Sequence, residues 1–392
     1  MEQFLRQLQT IPEAAELIRR VEEGGCPAAV SGLQPVQRAC VGAAVAAACG
    51  RPAVFLCGDE REVQVLSADL ETLTGRRPVT LLGREWQFRP GAVGSRDWER
   101  SRLAALYALA QGDAPVVVAT ADGLMARTLP PETLRSLAIT LEVGGQAELG
   151  ALAEQLLSAG YTRCEQVEGV GQFALRGGIL DVFSPLMDQP VRCEFFDDEI
   201  DSMGAFDPGT QRRTRNVSSA RILPAAEVLP HCAPGGLPGL ADQLIALAEK
   251  LAKKQKTEAI VQTLREDAER LRSGAAPGAA DRYLAAIYPT VTAGVHYLPP
   301  NAVVFLSESG RVDERVKNTV LQQKQDVEAL LSAGVLAGEY AHLTLTAEEL
   351  YAALEDFPVI LEDSLPTSRH PLRPRGLLTM NAKQLSSYGG SL

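Results

Sequence analysis

The sequence has few aromatic residues and no long apolar segment. Aromatic residues make up 5% of its 392 positions. Its longest run of small apolar residues, Ala39 to Cys49, is shorter than the roughly 18 residues that a membrane span requires. The first residues do not show the basic segment and apolar run of a secretory signal. With 46% hydrophobic and 22% charged residues, the composition favours a cytoplasmic globular protein of two or three domains, with no membrane segment.

Cysteines, histidines and basic residues are too few or too scattered for several classes of function. None of the seven cysteines is paired as C-x-x-C and the four histidines lie far apart, so no metal site is predicted. Acidic residues outnumber basic ones by 49 to 38, and the resulting net charge of −11 opposes nonspecific DNA binding. A local basic groove is still compatible with this average. The basic clusters are Lys250 to Lys256 and the trio Arg212, Arg213 and Arg215.

Strands that alternate with helices indicate an α/β fold with a parallel sheet. We assign this first domain to residues 1–127, and the later run Val303–Leu306 is predicted to be a buried strand that could rejoin its sheet. The other predicted strands are Ala53–Cys57, Val79–Leu82 and Val116–Ala119, all buried on both faces, and the predicted helices are Glu62–Leu73 and Arg100–Ala110.

The character of the sequence changes near Arg127, and an inserted α+β domain is predicted at residues 128–214. Turn signals such as Gly177-Gly178 separate its β-rich runs. Residues 215–392 are expected to form a mostly helical domain, with the amphipathic stretch Leu240 to Leu271, and to complete the first domain. The inserted domain's predicted strands are Leu137–Val143, Gly171–Leu175, Gly178–Phe183 and Val191–Phe196, and its predicted helix is Glu148–Ala159.

The first loop of the sheet is where a nucleotide-binding protein places its phosphate cradle. A P-loop reads G-x-x-x-x-G-K-[ST], and its second glycine, lysine and hydroxyl each contact phosphate or Mg²⁺. Here only Gly32 is retained, while Gln37, Arg38 and Ala39 stand at the three other positions. Because alanine cannot coordinate a metal ion, the loop is predicted to be a degenerate P-loop or an ordinary turn.

A second position leads to the same expectation. A strand that holds Mg²⁺ through an aspartate and assists hydrolysis through a glutamate ends in Asp-Glu. The late strand here ends in Ser307-Glu308, with serine in place of the aspartate. Together the two positions predict that this chain does not hydrolyse ATP.

The most distinctive segment lies in the inserted domain, around Arg176 and the Gly177-Gly178 turn. An arginine at a strand end can turn its guanidinium outward, and arginine near aromatic residues is typical of protein interfaces. Arg163 could add to the same surface if the strands pair locally. The alternative is that Arg176 pairs with Asp181 or Glu194 and only fixes the turn.

The segment RGGILDVFSP…VRCEFFDDEIDSMGAFDPGTQR strongly resembles the bacterial transcription-repair coupling factor (Mfd) family, in its N-terminal module that is similar to the excinuclease subunit UvrB. The resemblance is most specific over Tyr161 to Arg213 and extends more weakly from Phe4 through Val304. Family members are far longer, so the chain is expected to be a piece that lacks the RNA-polymerase-binding domain and the translocase motor.

The resemblance implies a UvrB-like arrangement of a helicase-like domain 1A with a degenerate P-loop, an inserted domain 2 and a mostly helical domain 1B. In the family, domain 2 recruits UvrA. At matching positions, Arg176, Gly177, Gly178 and Phe173 become the leading contacts, with Arg163 as a further one. From the residues alone, Phe173 can equally feed a small core. RNA polymerase and DNA are partners of the missing parts, which also use ATP and Mg²⁺, and no cofactor is expected here.

Three functions therefore remain open. The first is a non-catalytic module that recruits UvrA, whose surface the rest of a full-length protein could mask by an intramolecular contact. The second is an ATP-dependent DNA-processing enzyme like UvrB, and the third is a DNA-binding scaffold. Against the second, the stretch Arg84 to Val93, where UvrB carries a DNA-clamping hairpin, is short, and Trp86 is predicted to pack.

Overall fold

A seven-stranded sheet, parallel throughout, forms the centre of the first domain. The computed structural model describes residues 2–89, 97–254 and 257–380. The sheet has the order β15-β1-β14-β13-β2-β4-β3, so strands from both ends of the chain meet in it. The strands are β1 (Ala28–Ser31), β2 (Ala53–Cys57), β3 (Val79–Leu81), β4 (Val116–Thr120), β13 (Val303–Ser307), β14 (Val359–Asp363) and β15 (Gly376–Thr379).

Helices cover both faces of this sheet because neighbouring strand residues point to opposite sides. Phe55 and Phe305 stack at 4.8 Å on one face, whereas Leu56 and Leu306 point to the other. The core on the first side includes residues of α1 (Glu2–Gln9), α2 (Pro12–Glu22), α3 (Pro35–Cys49) and α4 (Glu60–Thr74). The core on the second side includes residues of α5 (Asp97–Gln111), α6 (Ala121–Met125), α7 (Pro131–Leu137), α9 (Gly236–Leu251), α10 (Glu258–Arg272), α11 (Leu284–Ile287), α12 (Ser309–Ser332) and α13 (Ala347–Leu354).

The inserted domain is built on a six-stranded sheet of order β11-β10-β9-β8-β7-β6, antiparallel except for the β6–β7 pair. One face of this sheet packs on α8 (Leu149–Ser158) and on the pair β5 (Ile139–Glu142) and β12 (Ser219–Ile222). The six strands are β6 (Thr162–Arg163), β7 (Gln172–Arg176), β8 (Ile179–Val182), β9 (Val191–Phe196), β10 (Glu199–Phe206) and β11 (Arg213–Asn216).

A buried charge network fixes the two chain crossings between the domains. Glu227 is fully buried and accepts hydrogen bonds from the Arg102 guanidinium and from Thr128 Oγ1 (2.6 Å). Arg84 lies between Glu227 (3.7 Å) and Asp281 (2.6 Å). Burial alone would raise the pKa of Glu227, but the guanidinium groups of Arg102 and Arg84 hold it below its usual value. Thr128 precedes the inserted domain in sequence and Glu227 follows it. Because Glu227 binds both Thr128 and Arg102 of α5, the two connecting segments are held next to α5.

The predicted α/β class with a parallel sheet is confirmed, and Val303–Leu306 does return to the first sheet, between β14 and β2. One detail of the prediction was wrong, because β3 is an edge strand and Val79–Leu82 is not buried on both faces. The predicted helical stretch Leu240 to Leu271 consists of two helices that pack on each other. The domain boundaries at residues 127/128 and 214/215 stay predictions. None of the described helices has the length and apolar character that a bilayer crossing requires.

Candidate functional site

A buried carboxylate organises the side of the inserted sheet that faces away from α8. Asp181 has no exposed surface, and its oxygens accept hydrogen bonds from Arg176 (2.7 Å) and from both Nε and Nη2 of Arg192 (2.7 and 2.8 Å). Opposed residues of antiparallel strands share a face, and side chains alternate along each strand. The pairs Asp181↔Arg192 and Ile179↔Glu194 therefore define one surface. We call it the outer face, and it consists of Arg176, Ile179, Asp181, Arg192, Glu194 and Phe196.

Arg176 is both ion-paired and accessible. The predicted alternative, a contact with Asp181, is present in the structure, yet 48% of the Arg176 side chain stays exposed. Arg192 is more enclosed, and its guanidinium carbon lies 4.7 Å from the centre of the Phe206 ring. Asp181 therefore orients two guanidinium groups, of which that of Arg176 stays half exposed.

The Gly177-Gly178 turn lets the β7–β8 hairpin close in two residues. Gly177 has φ +57°, in the left-handed region where a side chain is disfavoured. A Cβ on Gly178 would lie 2.9 Å from the carbonyl oxygen of Phe195, on the neighbouring strand. The two glycines thus shape the end of the outer face through backbone geometry.

Arg163 lies close to Arg176, as the sequence suggested. Both residues line a shallow depression of about 540 Å³ at the edge of the sheet, together with residues 164–166 and Leu175. Arg163 belongs to the exposed edge strand β6. The two predicted arginines thus border one depression at the sheet edge, although the register Arg163↔Phe173 assigns Arg163 to the face opposite to Arg176.

Phe173 does not reach that surface, and its prediction as a leading contact is corrected here. Its side chain is fully buried in the core beside Leu180 and Val182. Phe173 and Arg176 are three residues apart on β7, so their side chains point to opposite faces of the strand. The alternative expectation, that Phe173 feeds a small core, describes its position.

Arg192 is the residue that the sequence analysis missed. It lies 16 positions after Arg176, and only strand pairing brings the two guanidinium groups to one carboxylate. The available signal was the alternation in Val191–Phe196, which places Arg192, Glu194 and Phe196 on one side and Val191 and Cys193 on the other.

The loop predicted to be a degenerate phosphate cradle is filled by the chain itself. Gly32 has φ +90°, and a Cβ there would lie 2.1 Å from the carbonyl oxygen of Met380, so this glycine accommodates the chain's own backbone. Pro35 begins α3 without an N–H group to offer. The Gln37 side chain folds back to accept a hydrogen bond from the Gln34 N–H (2.8 Å). These features do not fit a cradle of free amides around phosphate.

Arg38, at the lysine position of the motif, is closed into an internal ion cluster. Its guanidinium pairs with Glu308 and with Glu62 (3.4 Å), and 4% of the side chain is exposed. Ser307 Oγ donates to Glu62 (2.7 Å), and Ser364 Oγ donates to Glu308. The predicted positions Arg38, Ser307 and Glu308 therefore do meet, in a cluster where Glu62 joins Ser307 to Arg38 and Arg38 pairs with Glu308. Ala39, the next predicted position, is buried in the core.

A further carboxyl group lies buried behind this cluster. Glu362 on β14 has no exposed surface, and neither of its carboxyl oxygens has a hydrogen-bond partner. Burial raises its pKa well above the usual value, against the opposing attraction of Arg38 and with added repulsion from Asp363 and Glu62. Within the described residues, no group of three or more His, Cys, Asp or Glu side chains is arranged to hold a metal ion.

The remaining predicted features are separate from the outer face or only partly described. Trp86 packs against the larger core, as predicted, and residues 90–93 of its stretch lie outside the described residues. Lys250 pairs with Glu339, and Lys256 also lies outside the described residues. Arg212, Arg213 and Arg215 are exposed at the β11 edge.

We expect Arg38→Ala to lower the free energy of unfolding by about 3 kcal/mol, because it leaves Glu62 and Glu308 close together without their counter-charge. Urea denaturation of the purified chain measures this loss. The matched control is Arg311→Ala, because Arg311 pairs with Asp59 at an exposed position and should cost about 0–1 kcal/mol. Equal losses in the two variants would contradict an interior ion cluster.

We expect Glu362→Gln to change how stability depends on pH. In the unfolded chain a glutamate ionises at about pH 4.3. The folded Glu362 carboxyl keeps its proton to higher pH, because burial raises its pKa. The stability of the wild type therefore falls as the pH rises from the unfolded pKa toward the folded one. Glutamine does not ionise, so Glu362→Gln does not show this loss of stability with rising pH. The stability difference should move in its favour by up to about 1.4 kcal/mol per pH unit as the pH rises above the range in which the unfolded glutamate ionises. Parallel stability curves from urea titrations would show that Glu362 ionises normally.

Comparison with known proteins gives two results. Residues 139–227 match the family model of the UvrB interaction domain. The chain is 27% identical to the transcription-repair-coupling factor of Bacillus subtilis over 380 residues, which is 96% of this chain and 32% of the relative. Identity to the Myxococcus xanthus protein of the same name is 35%, over 62% of this chain and 20% of the relative, and to the Escherichia coli one 34%, over 45% and 15%.

The chain therefore spans about a third or less of the length of these relatives. The outer face lies within the matched UvrB interaction domain, since its residues fall between 176 and 196. The predicted family resemblance is confirmed: most of this chain is similar to transcription-repair-coupling factors, with residues 139–227 matching the UvrB interaction domain.

Proposed function

We propose that this chain is a non-catalytic module of a transcription-repair coupling factor that recruits UvrA through the outer face of its inserted domain. The observation that carries the proposal is the Asp181-bound pair of guanidinium groups, of which Arg176 remains half exposed. Recruitment would link nucleotide excision repair to stalled RNA polymerase. Contacts with RNA polymerase and DNA are assigned to other parts of the longer relatives.

The chemistry of the outer face favours an acidic protein partner. A half-exposed guanidinium beside a tight turn can form two parallel hydrogen bonds with a carboxylate. Because Arg176 is already held by Asp181, it loses little conformational entropy on binding. Arg163, which lines the same depression, adds positive charge. Gly177 and Gly178 contribute because a turn without side chains lets the backbone of a partner come close to Arg176.

Two features support a role without ATP hydrolysis. The Arg38 guanidinium is paired with Glu62 and Glu308, and Gly32 packs against the Met380 carbonyl. We therefore infer a helicase-like domain 1A that serves as a scaffold, carrying domain 2 through the Glu227 network. The alternative of a UvrB-like ATP-dependent enzyme would need a phosphate site that these contacts do not fit.

The DNA-scaffold alternative has weaker support. Its two basic clusters lie on different domains, at the end of α9 and on β11. The Arg213 guanidinium donates to the Met203 carbonyl and lies 4.0 Å from Glu194, so it is partly engaged within the protein. Among the residues that the structure describes, the two clusters do not line a common pocket.

We expect Arg176→Glu to weaken binding of purified UvrA by at least about 30-fold, or about 2 kcal/mol, because it removes the accessible guanidinium and adds a charge that repels an acidic partner. Isothermal titration calorimetry or surface plasmon resonance measures the dissociation constant.

Arg135→Glu is a matched control, because 42% of the Arg135 side chain is exposed on α7, which packs into the core beside the parallel sheet and lies outside the outer face. It should bind UvrA as tightly as the wild type. Thermal unfolding of Arg176→Glu verifies that the new carboxylate beside Asp181 leaves the domain folded. A folded Arg176→Glu variant with wild-type affinity would contradict the proposal.

A further inference from the structure

The outer face ends in an exposed phenylalanine beside the double-glycine turn. Phe196 is the last residue of β9, and 76% of its surface is accessible. Ile179 is paired with Glu194, and the Phe195 amide donates to the Gly178 carbonyl (2.7 Å), so the strand pairing carries Phe196 to the turn. Alternation along β9 puts its ring on the same side as Glu194 and Arg192. The ring therefore lies at the same end of the sheet as Arg176.

Charged residues flank this ring on both sides, and Glu194 shares its face two positions earlier on β9. Arg176 lies toward β7, whereas the β9–β10 turn contributes Asp197 and Asp198, followed by Glu199, which is paired directly with Phe196. Asp197 has φ +53°, which closes this hairpin in two residues. The two tight turns, 177–178 and 197–198, place an apolar ring between a cationic and an anionic group at one tip.

An aromatic ring left this open forgoes the stabilisation that burial of its apolar area would give. The inner face of the same sheet shows the contrast, since Phe173 is fully buried there. Aromatic residues next to arginine are also the side chains that most often dominate protein interfaces. The position of Phe196 thus fits a ring that is covered by a partner.

We propose that Phe196 is an aromatic anchor of the partner-binding surface. It would enter an apolar pocket on the partner that has acidic groups on the side of Arg176 and basic groups on the side of Asp197 and Asp198. This inference rests on the proposed UvrA-binding function and adds to it the residue that sets apolar contact and orientation.

The test measures UvrA affinity for the full chain carrying Phe196→Ala, Phe196→Leu or Leu157→Ala. We expect Phe196→Ala to weaken binding by at least about tenfold, and Phe196→Leu to weaken it less because leucine keeps part of the apolar area. Leu157 is the matched control, since it is 42% exposed on α8 of the same domain, and Leu157→Ala should bind like the wild type. Both positions are exposed, and circular dichroism verifies folding of the three variants.

Three results would overturn the proposed role of Phe196, and one of them would also overturn the proposed function. If Phe196→Ala binds UvrA as the wild type does while Arg176→Glu does not, the anchor is overturned and the proposed function stands. If the wild-type chain does not bind UvrA at all, both are overturned. If Phe196→Ala instead reduces self-association in sedimentation experiments and leaves UvrA affinity unchanged, the ring packs against a second copy of the chain and the anchor is likewise overturned.

Discussion

The outer face depends on one buried carboxylate, that of Asp181. An ionised carboxyl group without solvent contact is costly unless charge and hydrogen bonds compensate it. Here two guanidinium groups from different strands do so, with three hydrogen bonds between 2.7 and 2.8 Å. The same contacts that satisfy Asp181 fix Arg176 and Arg192 relative to each other. A requirement of folding thereby sets the geometry of the surface that we assign to recruitment.

Two of the arginines at predicted functional positions, Arg38 and Arg176, differ in burial and therefore in what their guanidinium groups can contact. Arg38 is enclosed, with 4% of its side chain exposed, and it forms ion pairs with Glu62 and Glu308. Arg176 keeps 48% of its side chain exposed while paired with a single buried carboxylate that it shares. One guanidinium is thus enclosed within the protein, whereas the other stays accessible at the surface that we propose binds UvrA. This contrast is the physical basis for assigning a scaffold role to the first domain and a recognition role to the second.

Local sequence pattern predicted much of the fold, because buried strands and tight turns leave local signals. The β9 strand was predicted with the bounds Val191–Phe196 that the structure has. Phe173 was predicted to lie on the surface with Arg176, but it is buried. Strand alternation could have excluded this prediction, because residues three apart on a strand lie on opposite faces. The contact between Arg38 and Glu308 joins residues 270 positions apart and could not be read from either local segment. Likewise, Arg192 meets Arg176 only through the strand register.

The most direct test of the recruitment surface is hydrogen–deuterium exchange of the chain with and without UvrA. Backbone amides exchange where the chain opens or is accessible, so a partner that covers the tip slows exchange there. The account predicts protection at residues 174–179 and 194–199, with the first turn of α3 unchanged. Protection confined to other regions, such as α12 (Ser309–Ser332), with no change at the two turns, would contradict it.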